Sequence, residues 1–233
     1  MDKKKSNQLY NILFNIVIPI LILNNLSKEE YFGPVYGLVI ALLFPLIYGL
    51  YEMLILKQKS FISVIGFVGV LLSGLIGLFH VPPHWFAVKE AAIPLIIALV
   101  VVISTNRSWQ LINKFIYTNE LLDTDRIEVI ISGEGLKSEL NSTLKNANLL
   151  LASSFIFSAV LNYFLAKIIV QSMPGTIEFN EEVGKMTMLS FPVIAVPSII
   201  IMIFIFRYML SSIKRMTQLS TNEIFSKNLR SKN

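Results

Sequence analysis

The sequence contains no cysteine and only two histidines. Without cysteine, a disulfide, a thiol nucleophile and a cysteine-based metal site are all excluded. His80 and His84 are four residues apart, but Pro82 and Pro83 between them break the helix that would place both imidazoles on one face. The sequence therefore predicts no metal site and no cofactor.

Charged residues are also scarce. They make up 15% of the chain, against about 25% in an ordinary soluble domain. The sequence has no nucleophile elbow, no His-Glu-x-x-His element and no nucleotide-binding fingerprint, and its long apolar stretches contain no aspartate. These absences predict a protein without enzymatic activity.

Hydrophobic residues make up 54% of the chain and are concentrated in blocks. Most of the blocks are near the roughly 20 residues that a helix needs to cross the hydrocarbon core. We predict an all-α, polytopic transmembrane bundle of about six spans, forming a single integral membrane domain over residues 1–233. The predicted spans are 9–26, 34–56, 61–80, 86–104, 149–170 and 190–210.

The basic residues predict the orientation of these spans. Fifteen Lys and Arg side chains lie at the two ends and in the second and fourth gaps, whereas the other three gaps hold only Lys28 and Lys185. Cytoplasmic loops carry the excess of basic residues, so both termini are predicted to be cytoplasmic. The net charge of +5 is then a topology signal and a contact with anionic lipid, and no nucleic-acid partner is expected.

Small residues recur four apart in the second and third predicted spans. Helices in lipid associate through close packing of such residues. We therefore expect Gly37, Ala41 and Gly49 to face Gly69, Ser73 and Gly77, with Gly74 off the contact. The alternative is that glycine is simply commoner in membrane helices.

Polar side chains mark a second feature inside the predicted spans. Ser154, Ser158 and Asn162 lie on one helix face, which indicates either interhelical hydrogen bonds or a path for a substrate or ion. Ionisable residues near the outer boundary are further candidates for a functional polar interior. These are Lys89, Glu90 and Lys167, with Lys185 and Glu182 in the adjoining loop.

The cytoplasmic loop 105–148 is the one sizeable segment between spans. Apolar residues from Trp109 to Ile116 follow helical spacing and predict an interfacial helix. Residues 132–135 predict a turn. Leu136, Leu140 and Leu144 predict a short helix leading into the fifth span.

The chain also resembles a known family. The resemblance covers roughly residues 50–210, and the long loop 105–148 departs from the compact pattern of that family. It is carried by residues 72–80 with Trp85 and Lys89, by residues 161–166, and by Phe179 with Lys185. These elements are similar to those of the bacterial intracellular septation protein A family, and the resemblance implies an inner-membrane protein with a role in cell-envelope maintenance or division.

Two functions follow as hypotheses. The first is a non-enzymatic inner-membrane protein of the envelope, whose partners are the lipid bilayer and either other inner-membrane envelope proteins or further copies of itself. The second is a small carrier or channel for a solute or lipid. It would use the polar stripe formed by Ser154, Ser158 and Asn162 together with the ionisable residues near the outer boundary.

Overall fold

The computed structural model describes residues 13–54, 72–79, 81–106 and 122–225. Every regular element in these ranges is a helix, which confirms the all-α prediction for that part of the chain. The elements in chain order are α1 Leu13–Leu26, α2 Gly33–Leu54, α3 described over 72–78, α4 Pro83–Ser104, α5 Thr124–Gly133, α6 Lys137–Ile169, α7 Ile177–Thr217 and α8 Thr221–Ile224.

Four of these helices are long and apolar enough to cross a membrane: α2, α4, α6 and α7. They correspond to the predicted spans 34–56, 86–104, 149–170 and 190–210. The described part of the first span, α1, is shorter than the length needed to cross a membrane. The third span is described only at its end, over 72–79. The number six and the sidedness of the termini therefore stay predictions.

The surfaces of the long helices support a lipid environment. Large apolar side chains are exposed along them, among them Leu99 in α4, Ile168 in α6 and Phe204 in α7. In water such continuous exposure favours aggregation, whereas lipid tails solvate these side chains without cost. The fold is compatible with a multi-pass membrane protein.

Two helices are longer than the apolar runs that predicted them. Helix α6 begins at Lys137, so the expected lead-in helix and the fifth span are one 33-residue helix. Helix α7 begins at Ile177, where Thr176 Oγ1 accepts a hydrogen bond from Phe179 N, and spans 41 residues. Hydropathy reports the length suited to lipid, whereas a helix continues through polar residues until a cap or turn ends it.

Of the predicted turn 132–135, the second half is confirmed: helix α5 continues to Gly133, and the turn covers 134–136, where Gly135 adopts a φ of +70°. Helix α5 is capped by Asp123, whose side chain accepts from Arg126 N. The predicted interfacial helix from Trp109 to Ile116 lies outside the described residues.

Contacts group the chain into two compact units. The first unit comprises Met1–Ile93 and Ser158–Val196, and the second comprises Pro94–Phe157 and Pro197–Asn233. Each has its own apolar core. The core of the first unit is centred on Leu38, Ala41, Phe86, Ala166 and Phe179, and that of the second on Val101, Leu122, Ile131, Leu151 and Ile213.

Within the second unit, the end of the described chain is tied to the start of α5. Asp123 N donates to the Ile224 carbonyl at 2.8 Å, beside an isolated antiparallel bridge between Leu122 and Phe225. Glu223 accepts from the backbone N–H and the hydroxyl of Ser220 and pairs with Arg126 at 3.0 Å. The hydrogen bonds from Ser220 lower the pKa of the Glu223 carboxyl, with a smaller contribution from Arg126.

The packing of α3 on α2 corrects the predicted contact between two small faces. A Cβ on Gly77 would overlap the Leu38 side chain, and one on Gly74 would lie 3.3 Å from Leu42 Cδ1. Leucine side chains of α2 thus pack against the glycines of α3. This arrangement buries more apolar surface than glycine against glycine, and it brings Gly74 into the contact.

The glycines of α2 do not share the predicted role. Gly37 lies against Ser27, at the end of α1, while a Cβ on Gly49 would have no atom within 4 Å. Gly69 is outside the described residues. The turn that joins α1 to α2 requires glycine at Gly33, which has a φ of +69° and donates its N–H to the Lys28 carbonyl.

Candidate functional site: a polar cavity in the first unit

The first unit contains a cavity of about 560 Å³. Helices α1, α2, α3, α4, α6 and α7 all contribute to its described lining. The apolar part includes Phe86, Phe179 and Met186. The polar part of the lining consists of Asn15, Tyr48, Ser73, Glu90, Asn162, Thr187 and Ser190.

An ion pair between a buried lysine and a partly buried glutamate borders the cavity. The Lys89 ammonium donates to the Glu90 carboxylate and, at 2.6 Å, to Ser73 Oγ, and it lies 4.3 Å from the centre of the Phe86 ring. Lys89 is only 8% exposed. A lysine is almost never buried without a partner, so these three contacts are what allow its charge inside an apolar unit.

Asn162 lines the same cavity but bonds only to its own helix. Its Nδ2 donates to the Ser158 carbonyl at 2.8 Å and to Ser158 Oγ at 3.3 Å. No described residue donates to its Oδ1. Ser154, in the second unit, donates to the Leu151 carbonyl at 2.8 Å. None of the three stripe residues therefore bonds a different helix within the described chain.

The remaining charged candidates lie apart from the ion pair. Lys167 is exposed, with its Nζ 5.6 Å from the centre of the Tyr163 ring, and Lys185 is exposed without an ion pair among the described residues. Glu182 accepts from the backbone N–H groups of Gln171 and Ser172, at 2.8 Å each. The structure thus joins Lys89 to Glu90 and leaves the other three outside that pair.

Two buried asparagines were not found from the sequence. Asn148 Nδ2 donates to the Val101 carbonyl at 2.7 Å, to Thr105 Oγ1 at 2.8 Å and to Ser104 Oγ at 3.2 Å, which satisfies the end of α4. Asn180 Nδ2 donates to the Pro34 carbonyl at 2.7 Å. Both residues fell in predicted loops, where an asparagine carries no signal of burial.

These contacts predict different costs for the same substitution in α6. Asn148→Ala is expected to lower the free energy of unfolding by about 1–2 kcal/mol, because it removes a buried donor from the end of α4. Asn162→Ala should stay within about 0.5 kcal/mol of wild type, since its lost bonds are intrahelical and alanine favours the helix. Equilibrium unfolding in mixed micelles measures both, and equal losses would contradict the assignment.

No group of three or more His, Asp or Glu side chains suited to a metal ion occurs in the described ranges. Comparison of the chain with protein-family models, with curated proteins and with solved structures finds no match.

Proposed function

We propose that this chain is a multi-pass protein of the bacterial cytoplasmic membrane that binds and carries a small solute or lipid in the cavity of its first unit, without covalent chemistry. The observation that carries the proposal is the polar lining of a cavity inside an apolar unit. Polar and ionisable groups are expensive within a membrane, and they are retained there mainly for binding and transport.

The helices around the cavity have features suited to a change of shape. Helix α1 is π-helical at Leu13–Val17, which includes Asn15 of the cavity wall, and α7 has a π-helical segment, Phe191–Ala195, directly after Ser190. Such segments weaken the regular hydrogen-bond ladder and are frequent at functional sites. Pro19 and Pro45 also line the cavity, and each removes one backbone donor from its helix.

Elements of the family resemblance lie around the same cavity. Ser73, Asn162 and Phe179 are lining residues, and Lys89 bonds to Ser73. A role in envelope maintenance and a bound solute are compatible, because the cavity would then serve that role.

A leucine at position 49 is a direct test. Gly49 lines the cavity, and its Cβ position has no neighbour within 4 Å, so Gly49→Leu fills space without a backbone clash. We expect wild-type protein, extracted in mild detergent, to retain a small molecule in native mass spectrometry. Gly49→Leu should lose it while keeping the wild-type melting temperature.

Gly133→Leu is the matched control, because Gly133 also has open space around it but lies in the second unit. It should retain the bound molecule. The proposal fails if wild type carries no small molecule and Gly49→Leu restores the envelope phenotype of a deletion strain as well as wild type does.

The second candidate is a non-enzymatic envelope protein that acts only through contacts with other inner-membrane proteins or with further copies of itself. The resemblance at residues 72–80 and Lys89 favours it. Envelope proteins that copurify equally with wild type and with Gly49→Leu, together with full complementation by that variant, would support this candidate over the carrier.

The orientation proposed is cytoplasmic for both termini. Reporters fused after Lys57, within 105–148 and at the C-terminus should report cytoplasm, because these gaps hold the basic residues. Fusions near Pro82 and Glu181 should report the outer side. A periplasmic signal from the C-terminal fusion would rule out an even number of spans with the N-terminus inside.

A further inference from the structure

The hydrogen-bond donors of four residues at the cavity are already engaged, and these residues are Lys89, Asn162, Thr187 and Ser190. An ammonium group has three N–H bonds. Those of Lys89 are met by the Glu90 carboxylate, by Ser73 Oγ and by the face of the Phe86 ring. The Asn162 amide nitrogen faces the Ser158 carbonyl, which can only accept, so the orientation of this amide follows from its partner.

Two hydroxyl groups of α7 are engaged in the same way. Thr187 Oγ1 donates to the Val183 carbonyl, and Ser190 Oγ donates to the Met186 carbonyl, each at 2.8 Å. A hydroxyl has one hydrogen and two lone pairs. The hydrogen of each of these hydroxyls is already used in a hydrogen bond, whereas its oxygen can still accept one.

The groups of these four residues and of Glu90 that can still bond a ligand in the cavity are therefore mainly hydrogen-bond acceptors. They are the second oxygen of Glu90, the Oδ1 of Asn162, and the lone pairs of the Thr187 and Ser190 hydroxyls. None of these acceptor sites receives a hydrogen bond from a described residue. Phe179, Val183 and Met186 belong to the apolar part of the lining.

We propose that the cavity selects a small hydrogen-bond donor, and that its best ligand is a protonated primary amine with a compact apolar body. This inference rests on the proposed solute-binding function and names the class of solute. A primary ammonium brings three donors to these four acceptor groups, and its bond to the carboxylate is charge-assisted. A carboxylate ligand brings only acceptors and leaves both sides unpaired.

The charge of Lys89 weakens the preference of the cavity for a protonated amine but does not reverse it. Lys89 already neutralises Glu90, so a bound amine gains less from charge than it would beside an unpaired carboxylate. The hydrogen bonds carry most of the selectivity. A neutral alcohol of the same shape should therefore bind more weakly than the amine, and a carboxylate should not bind.

The test uses three probes with one skeleton: cyclohexylmethylamine, cyclohexylmethanol and cyclohexanecarboxylate. Full-length protein in nanodiscs is titrated with each by calorimetry, and empty nanodiscs correct for partition into lipid. We expect the amine to bind at least ten-fold more tightly than the alcohol, with no saturable binding of the carboxylate. Tighter binding of the carboxylate or the alcohol, or no binding of the amine, would overturn the inference.

Thr187→Val supplies the second measurement, because it preserves shape while removing one acceptor from the wall. It should weaken the amine several-fold, whereas Ser153→Ala should not, since Ser153 makes the same kind of bond to the Leu150 carbonyl but lies in the second unit, outside the cavity. Equal affinities of the two variants for the amine would overturn the assignment of Thr187 to the binding wall.

A native ligand that is retained but is not a hydrogen-bond donor would refute the proposed class of solute and leave the carrier proposal intact. The carrier proposal itself is tested separately by Gly49→Leu.

Discussion

Lys89→Met is expected to lower the free energy of unfolding by about 3 kcal/mol, a large part of the stability of a typical domain. Methionine retains the length and apolar stem of lysine, so packing changes little. The substitution leaves the Glu90 carboxylate, whose side chain is 24% exposed, without its cation, and it removes the donor to Ser73. Equilibrium unfolding in mixed detergent micelles measures the loss.

The double variant Lys89→Met/Glu90→Gln separates the cost of an unpaired charge from the value of the pair. It should regain most of the stability lost by Lys89→Met, because no partly buried charge is left without its partner. If the double variant is as unstable as Lys89→Met, the ion pair does not account for the effect, and the lost contacts of the Lys89 ammonium with Ser73 and with the Phe86 ring do.

Gly37→Leu is expected to prevent stable folding, or to cost more than about 3 kcal/mol. A Cβ at this position would lie 2.8 Å from the Cα of Ser27, which is backbone and 1% exposed, so the side chain has nowhere to go without moving the turn between α1 and α2. The yield of monodisperse protein and its melting temperature report the effect.

Two other glycines provide graded controls for Gly37→Leu. Gly49→Leu on the same helix should fold normally, because the space around Gly49 is open. Gly74→Leu should be intermediate, since its nearest neighbour is the end of the flexible Leu42 side chain. Folding of Gly37→Leu at the level of Gly49→Leu would show that the contact with Ser27 is not needed.

Apolar length was enough to place the long helices. Four predicted spans correspond to α2, α4, α6 and α7, because an apolar run of that length in lipid must satisfy its backbone hydrogen bonds internally, and a helix does so. The ends of α6 and α7 did not follow from hydropathy. They depend on Thr176 and on the turn at Gly135, which are local hydrogen bonds and dihedral angles.

The small faces show the limit of a periodic pattern. Spacing of four told which residues of one helix lie together, but not what would pack on them. Gly37 packs against Ser27, and Gly77 packs against Leu38. The choice of partner depends on shape complementarity between distant parts of the chain, which no local pattern contains.

By itself, the sequence determined the helical class and four of the apolar spans, and it predicted Lys89, Glu90 and Asn162 as polar groups in apolar surroundings. Only the tertiary structure decided that Lys89 is bonded to Ser73 and Glu90, that Lys167 and Lys185 are not, and that Asn148 secures the end of α4. The physical reason is that burial and polarity are local properties of a residue, whereas the partner that satisfies a buried polar group comes from elsewhere in the chain.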